Sequence, residues 1–213
     1  MKRILIVDDH ALIRKGLRQL LEDQPDFEVS GEAENGLQAI NILRKQHYDL
    51  VLLDIALPDK HGIDVLKQIR TEHPDTKIIV LSAYPEDQYG LRTLKLGAMG
   101  YINKQGATDN LLEAVRQVLN GKKYISEIVA EQLLNNMIGE SQELLHQSLS
   151  NREYQTLCLM ASGKSLTEIS EIMMLSPKTV SVYRARMLAK MNFKHNAEAV
   201  HYAITHCLVD AKD

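Results

Sequence analysis

The stretch ILIVDDH, residues 4–10, runs four apolar residues straight into two adjacent carboxylates, Asp8 and Asp9. An apolar run this short reads as a buried strand. Two like charges at the mouth of such a strand repel one another and resist desolvation. Working outward, RILIV (3–7) is a strand, and ALIRKGLRQLLED follows as a helix with Ile13, Leu17, Leu20 and Leu21 on one face. FEVSGEA (27–33), LVLLD (50–54), KIIVLS (77–82) and GYIN (100–103) supply four more strands. Helices are expected over 36–46 and near 62–72, 86–96 and 108–120. Five βα units imply an α/β fold, a parallel sheet with helices on both faces. Right-handed connections give the flavodoxin-like strand order 2-1-3-4-5.

In such a sheet, ligands bind outside the carboxyl ends of the strands. The residues at those ends are Asp8 and Asp9, Asp54, Ser82 and Lys104. Three carboxylates converging on one pocket need a cation, and Mg²⁺ suits an oxygen donor set. Asp54 sits centrally, where an aspartate can attack phosphorus and become an aspartyl-phosphate. Lys104 would neutralise a phosphoryl oxygen, and Ser82 could hydrogen-bond the phosphoryl group once in place. Taken singly, a strand-end aspartate is usually a cap and a lone lysine is usually solvated. Their arrival together at one sheet edge is what argues for chemistry.

Composition is that of an ordinary globular chain: 213 residues, 45% hydrophobic and 25% charged. No apolar stretch is long enough to cross a membrane, and MKRILIVDDH turns acidic too early for a signal peptide. Cys158 and Cys207 have neither zinc nor disulfide spacing and read as buried cytosolic thiols. Residues 1–148 carry 17 Lys+Arg against 22 Asp+Glu, whereas residues 149–213 carry 8 against 6. An acidic front and a mildly basic back suggest two parts with different partners. Residues 1–120 form the first domain and 149–213 the second. Residues 121–148 are a connector, in which 126–138 could be an amphipathic helix and 139–148 a polar linker.

The second part reads as all-α. Ser150 and Glu153 form a capping box, and Gly163 closes that helix. SLTEISEIMML (165–175) is a second helix. SPKTVSVYRARMLAKM (176–191) opens with Ser176 as cap and Pro177 at the first helical position. Two short helices and a tight turn suggest a helix-turn-helix. Lys178, Arg184, Arg186, Lys190 and Lys194 lie between 176 and 194 with no acidic residue among them. That patch would attract the phosphates of double-stranded DNA. Val180, Tyr183, Met187 and Met191 should be buried. Lys178, Thr179, Ser181, Val182 and Ala185 should face the major groove, with Arg184, Arg186 and Lys190 holding the backbone.

VDDH, LVLLDIALPDKHGID, IIVLSAY and GAMGYINK resemble the receiver domain of two-component response regulators, over residues 1 to about 120. That resemblance implies that Asp54 is the phosphoacceptor, fed by a sensor histidine kinase. It implies that Asp8, Asp9, Asp54 and the backbone carbonyl of Ala56 hold the metal. It makes Ser82 and Tyr101 a switch pair, and Lys104 the family lysine. Gln105 departs from the proline common at that place. LSNRE, ASGKSLTEIS and LSPKTVSVYRARMLAKM resemble the LuxR-type helix-turn-helix of the NarL/FixJ regulators. Leu166, Thr167, Ser181 and Tyr183 depart from the usual pattern, and the Tyr-Arg form is similar to the GacA/EvgA branch. NAEAVHYAITHCL (196–208) is similar to the last of the family's four helices, which pairs two DNA-binding domains into a homodimer. The resemblance implies a cytoplasmic transcription regulator, whose only catalysis is its own phosphorylation and dephosphorylation.

Other motifs fail on position. SGKS (162–165) would put the first P-loop glycine at Cys158 and follows a helix rather than a strand. No G-x-G-x-x-G follows the first strand. Haloacid-dehalogenase-type phosphatases need Asp-x-Asp, and Ala56 stands two residues after Asp54.

Overall fold

The computed structural model describes residues 1–138, 144–206, 208 and 209. The chain divides into two compact units, Met1–Ile138 and Gly139–Asp213.

In the first unit five strands, β1 (Lys2–Val7), β2 (Phe27–Ala33), β3 (Leu50–Leu53), β4 (Lys77–Ser82) and β5 (Gly100–Asn103), form one parallel sheet in the order β2-β1-β3-β4-β5. The helices α1 (Ala11–Glu22), α2 (Gly36–Leu43), α3 (Gly62–Glu72), α4 (Glu86–Lys95) and α5 (Ala107–Leu119) alternate with the strands. Strand side chains alternate between faces. One set, Ile4, Ile6, Leu50, Leu52, Ile79, Leu81 and Ile102, packs with Leu17 and Leu21 of α1 and Leu111, Val115 and Val118 of α5. The other set, Leu5, Val7, Val51, Leu53, Ile78 and Val80, is equally buried, which is why these strands read as unbroken apolar runs.

Two details differ from the sequence reading. The buried face of α1 includes Arg14, because its guanidinium has partners: it donates to the Asp8 carbonyl (2.7 Å), to Glu32 Oε2 (3.1 Å) and to Glu34 Oε1 (2.8 Å). Ile13 and Leu20 are only partly buried. A further helix, α6 (Glu127–Ile138), expected within the connector, packs on α4 as part of the first unit.

The second unit holds α7 (Asn151–Ala161), α8 (Leu166–Ile172), α9 (Pro177–Lys190) and α10 (Asn196–Thr205). Ser150 and Glu153 make both bonds of a capping box, as do Ser165 and Glu168. Ser176 accepts from the Thr179 N–H, and Pro177 starts α9. Gly163 adopts φ +78°, and the Lys164 N–H returns to the Leu159 carbonyl, ending α7. Met174 fills the equivalent left-handed position after α8 at φ +52°. Of the expected linker, 139–143 lies outside the described residues. Leu145–Ser148 forms a 3-10 turn, with His146 Nδ1 3.0 Å from the Tyr202 hydroxyl. Cys158 is buried, and Cys207 lies outside the described residues.

Candidate functional site

The sheet register brings the strand ends level. Val7 pairs with Leu53, and the next residue, Asp54, donates its N–H to the Val7 carbonyl at 2.8 Å. Asp8 donates its N–H to the Ala33 carbonyl at 3.1 Å. Asp8 and Asp54 thus emerge side by side, both buried. The loop after β3 folds back tightly over them. At Gly62 a Cβ would come within 2.1 Å of the Asp54 carbonyl oxygen, so only glycine fits there.

Lys104, just beyond β5, closes the pocket. Its Nζ lies 2.6 Å from Asp54 Oδ2 and 2.7 Å from Asp8 Oδ2. Asp54 Oδ1 accepts the Ala56 N–H at 3.0 Å, which fixes the carboxylate plane. Burial pushes the Asp54 carboxyl above the usual aspartate range, against the attraction of Lys104. Burial works against the charge of Lys104, but Asp54 and Asp8 outweigh it and hold the ammonium above its ordinary value. Asp8 Oδ1 accepts the His10 N–H at 2.8 Å.

Asp8 Oδ2 and Asp9 Oδ1 are buried and accept no aligned hydrogen bond. Their close neighbours, Lys104 Nζ (2.7 Å from Asp8 Oδ2) and His10 Nδ1 (2.6 Å from Asp9 Oδ1), lie in contact without that alignment. Ligand atoms of Asp8, Asp9, His10 and Asp54 lie within 4.8 Å of one another, a set that could hold a metal ion. His10 was not singled out from the sequence, although it follows Asp9 directly. Its place depends on how the chain turns into α1, where it is the N-terminal cap residue.

Ser82 and Tyr101 are buried beside this pocket. Ser82 Oγ accepts the Tyr84 N–H at 3.1 Å, and the Tyr101 hydroxyl donates to the Tyr84 carbonyl at 2.7 Å. Burial drives the Tyr101 hydroxyl pKa upward, opposed by its hydrogen bond with Ser82. The two side chains and the loop after β4 therefore form one hydrogen-bonded unit.

In the second unit, Lys178, Val182, Ala185 and Arg186 are exposed on α9, and Thr179, Ser181 and Arg184 are partly so. Val180, Met187 and Met191 are buried, and Tyr183 is only half-buried. Lys190 has an intradomain partner, Glu153, which the sequence reading missed because the two stand 37 residues apart.

Residues 4–116 match the response regulator receiver domain, and residues 147–203 match the bacterial regulatory proteins of the LuxR family. The chain belongs to the two-component response regulators. It is 38% identical to Response regulator UvrY of Escherichia coli over 213 residues, covering all of this chain and 98% of UvrY. It is 34% identical to Response regulator GacA of Pseudomonas aeruginosa, over 99% of each chain. Among solved structures, RcsB of Salmonella enterica serovar Typhimurium, bound to promoter rprA with the phosphomimetic BeF3⁻, gives a TM-score of 0.64 at 26% identity, over 96% of this chain and all of that one. This response regulator therefore joins a receiver to a LuxR-type DNA-binding domain. No helix among its described residues is long and apolar enough to cross a membrane.

Proposed function

We propose that this response regulator is switched by phosphorylation of Asp54 and that the switch controls DNA binding by α9. The observation that carries the reading is Asp54 itself: a buried carboxylate with one oxygen on Lys104 and the other on a backbone N–H, beside two further aspartates. A carboxylate oxygen attacks the phosphorus of a phosphohistidine on a sensor kinase. The O–P bond forms as the N–P bond breaks, and the released imidazole takes up a proton.

The buried, unaligned oxygens of Asp8 and Asp9 fit a hard divalent cation, and Mg²⁺ is the ion their chemistry favours. Asp8, Asp9, Asp54 and the Ala56 carbonyl would hold it, and when bound it supplies positive charge to the phosphoryl oxygens. Lys104 exchanges its contact with Asp54 for a phosphoryl oxygen. Ser82 gives its hydroxyl to another oxygen, and Tyr101 follows.

On DNA, Lys178, Thr179, Ser181, Val182 and Ala185 meet base edges, while Arg184 and Arg186 hold phosphates. Lys190 acts through the fold, because Glu153 already engages it. RcsB is seen as two dimers on two parallel DNAs, and that supports a homodimer on DNA here, paired through α10. A cytoplasmic location agrees with the absence of a spanning helix among the described residues. We place the receiver at 1–138 with α6 included, the polar connector at 139–148, and the DNA-binding domain from 149 onward.

The test is a gel shift on a short duplex with and without acetyl phosphate and Mg²⁺. Phosphorylation should change the affinity of the wild type and leave that of Asp54→Asn unchanged. Equal responses in both would remove Asp54 from the mechanism.

A further inference from the structure

His61 and His10 both stand at helix N-termini, and they differ in what the ring does there. His61 caps α3, its Nδ1 accepting the Ile63 N–H at 3.3 Å. His10 is the N-cap residue of α1, yet its side chain makes no capping bond. Its ring turns instead to the carboxylates: Nδ1 lies 2.6 Å from Asp9 Oδ1 and 3.3 Å from Asp8 Oδ1. The Asp8 carboxylate also fixes the His10 backbone by accepting its N–H at 2.8 Å. The turn that links β1 to α1 therefore holds the imidazole and the acid pair together. The side chains of His10 and Asp9 are 61% and 23% exposed and can adjust, whereas those of Asp8 and Asp54, at 1%, are fixed.

Mg²⁺ takes an all-oxygen shell, keeps several waters and has little use for an imidazole. Zn²⁺ and Co²⁺ take nitrogen and oxygen donors together. Ligand atoms of His10, Asp8, Asp9 and Asp54 all lie within 4.8 Å of one another. An ion with bonds of about 2.0–2.2 Å joins donors up to about 4 Å apart, so the exposed His10 and Asp9 side chains have only a small movement to make. We propose that His10 is a selectivity residue, which turns this pocket toward imidazole-binding transition ions such as Zn²⁺ or Co²⁺ in competition with Mg²⁺. Lys104 contests Asp8 and Asp54 with every such ion alike, so it does not govern the choice. What governs it is the one donor that Mg²⁺ does not use. A ring that merely neutralised the acid pair would change the affinity for all divalent ions by the same factor. The inference rests on the reading of Asp8, Asp9 and Asp54 as the metal pocket.

Competition titrations on the full-length protein test it, with Co²⁺ as the probe because its visible spectrum reports the donors around it. Only the Co²⁺ that excess Mg²⁺ displaces is counted, which sets aside ions held by histidines elsewhere in the chain. In the wild type that Co²⁺ should bind far more tightly than Mg²⁺. His10→Asn should weaken it by about tenfold or more, shift its spectrum, and leave the Mg²⁺ affinity unchanged. Asparagine is a good helix cap, so α1 stays formed in this variant. His10→Ala, with no amide oxygen to stand in as a donor, should give the same result. Unchanged Co²⁺ affinity in both variants, or Co²⁺ and Mg²⁺ weakened by the same factor, overturns the role of His10 while the acidic pocket stands. A wild type that binds no Mg²⁺ overturns the pocket itself, and the inference falls with it.

Discussion

Lys190 Nζ lies 2.6 Å from Glu153 Oε2, so one carboxylate joins the end of α9 to the start of α7. The same oxygen accepts the Ser150 N–H at 2.7 Å in the capping box. Glu153 is almost fully buried, with 4% of its side chain exposed, whereas Lys190 is 43% exposed. Removing the lysine leaves a buried carboxylate short of one partner.

Lys190→Ala should therefore destabilise the second unit by about 1–2 kcal/mol, read as a fall in its melting temperature. The effect has a defined pH dependence. Burial raises the Glu153 carboxyl, but Lys190 and Ser150 outweigh it and hold the group below its ordinary 4.5. A depressed acid stabilises the fold above its unfolded value, and the contribution is lost as pH falls through the folded value. The gap between wild type and variant should be full at neutral pH and close in acid. A gap that widens below pH 4.5 would contradict the pairing.

Arg186→Ala and Lys190→Ala should part company on DNA. Loss of a phosphate contact at Arg186 should lower the slope of log affinity against log salt by about one and weaken all sequences alike. Lys190→Ala should leave that slope unchanged, because its charge is already neutralised by Glu153. Binding titrations over a salt series decide between them.

Asp54→Asn should abolish phosphorylation by acetyl phosphate while leaving the receiver folded. The amide keeps the Ala56 bond available but is a poor nucleophile, and Lys104 retains Asp8 at 2.7 Å. Mass measurement after incubation with the donor provides the reading. A full +80 Da adduct on the variant would move the phosphoacceptor elsewhere.

Asp9→Ala should weaken Mg²⁺ binding without lowering the metal-free melting temperature. It removes one of three crowded carboxylates, which relieves repulsion when no cation is present. The wild type should gain about 2.7 kcal/mol of stability at a hundred times its dissociation constant, and the variant much less at that concentration. A large metal-free loss would make Asp9 structural.

Met174→Gly should stabilise the second unit. Met174 is exposed and sits at φ +52° after α8, where an L side chain is strained and glycine is not. Relief of about 0.5–1 kcal/mol should show as a higher urea midpoint at unchanged slope.

The sequence by itself determined the ten helices and five strands to within a few residues among the described positions, and the order of the sheet. Apolar runs and capping residues are local signals, and the right-handed crossover then leaves one arrangement for five βα units. That arrangement makes the meeting of Asp8, Asp54, Ser82 and Lys104 legible, since each stands at or just beyond the end of its own strand. Only the tertiary structure decided the rest. Arg14 goes inward because Glu32, Glu34 and the Asp8 carbonyl await it, and no helical periodicity announces partners on another strand. His10 comes to Asp9 through the turn into α1. Lys190 meets Glu153, 37 residues away in the chain, because that residue offers a buried carboxylate. Helix α6 left the connector for α4 because Gly90 gave Val129 a bare backbone to rest on. Each of these depends on a partner distant in sequence, and a charge or an apolar side chain carries no local sign of which partner it will meet.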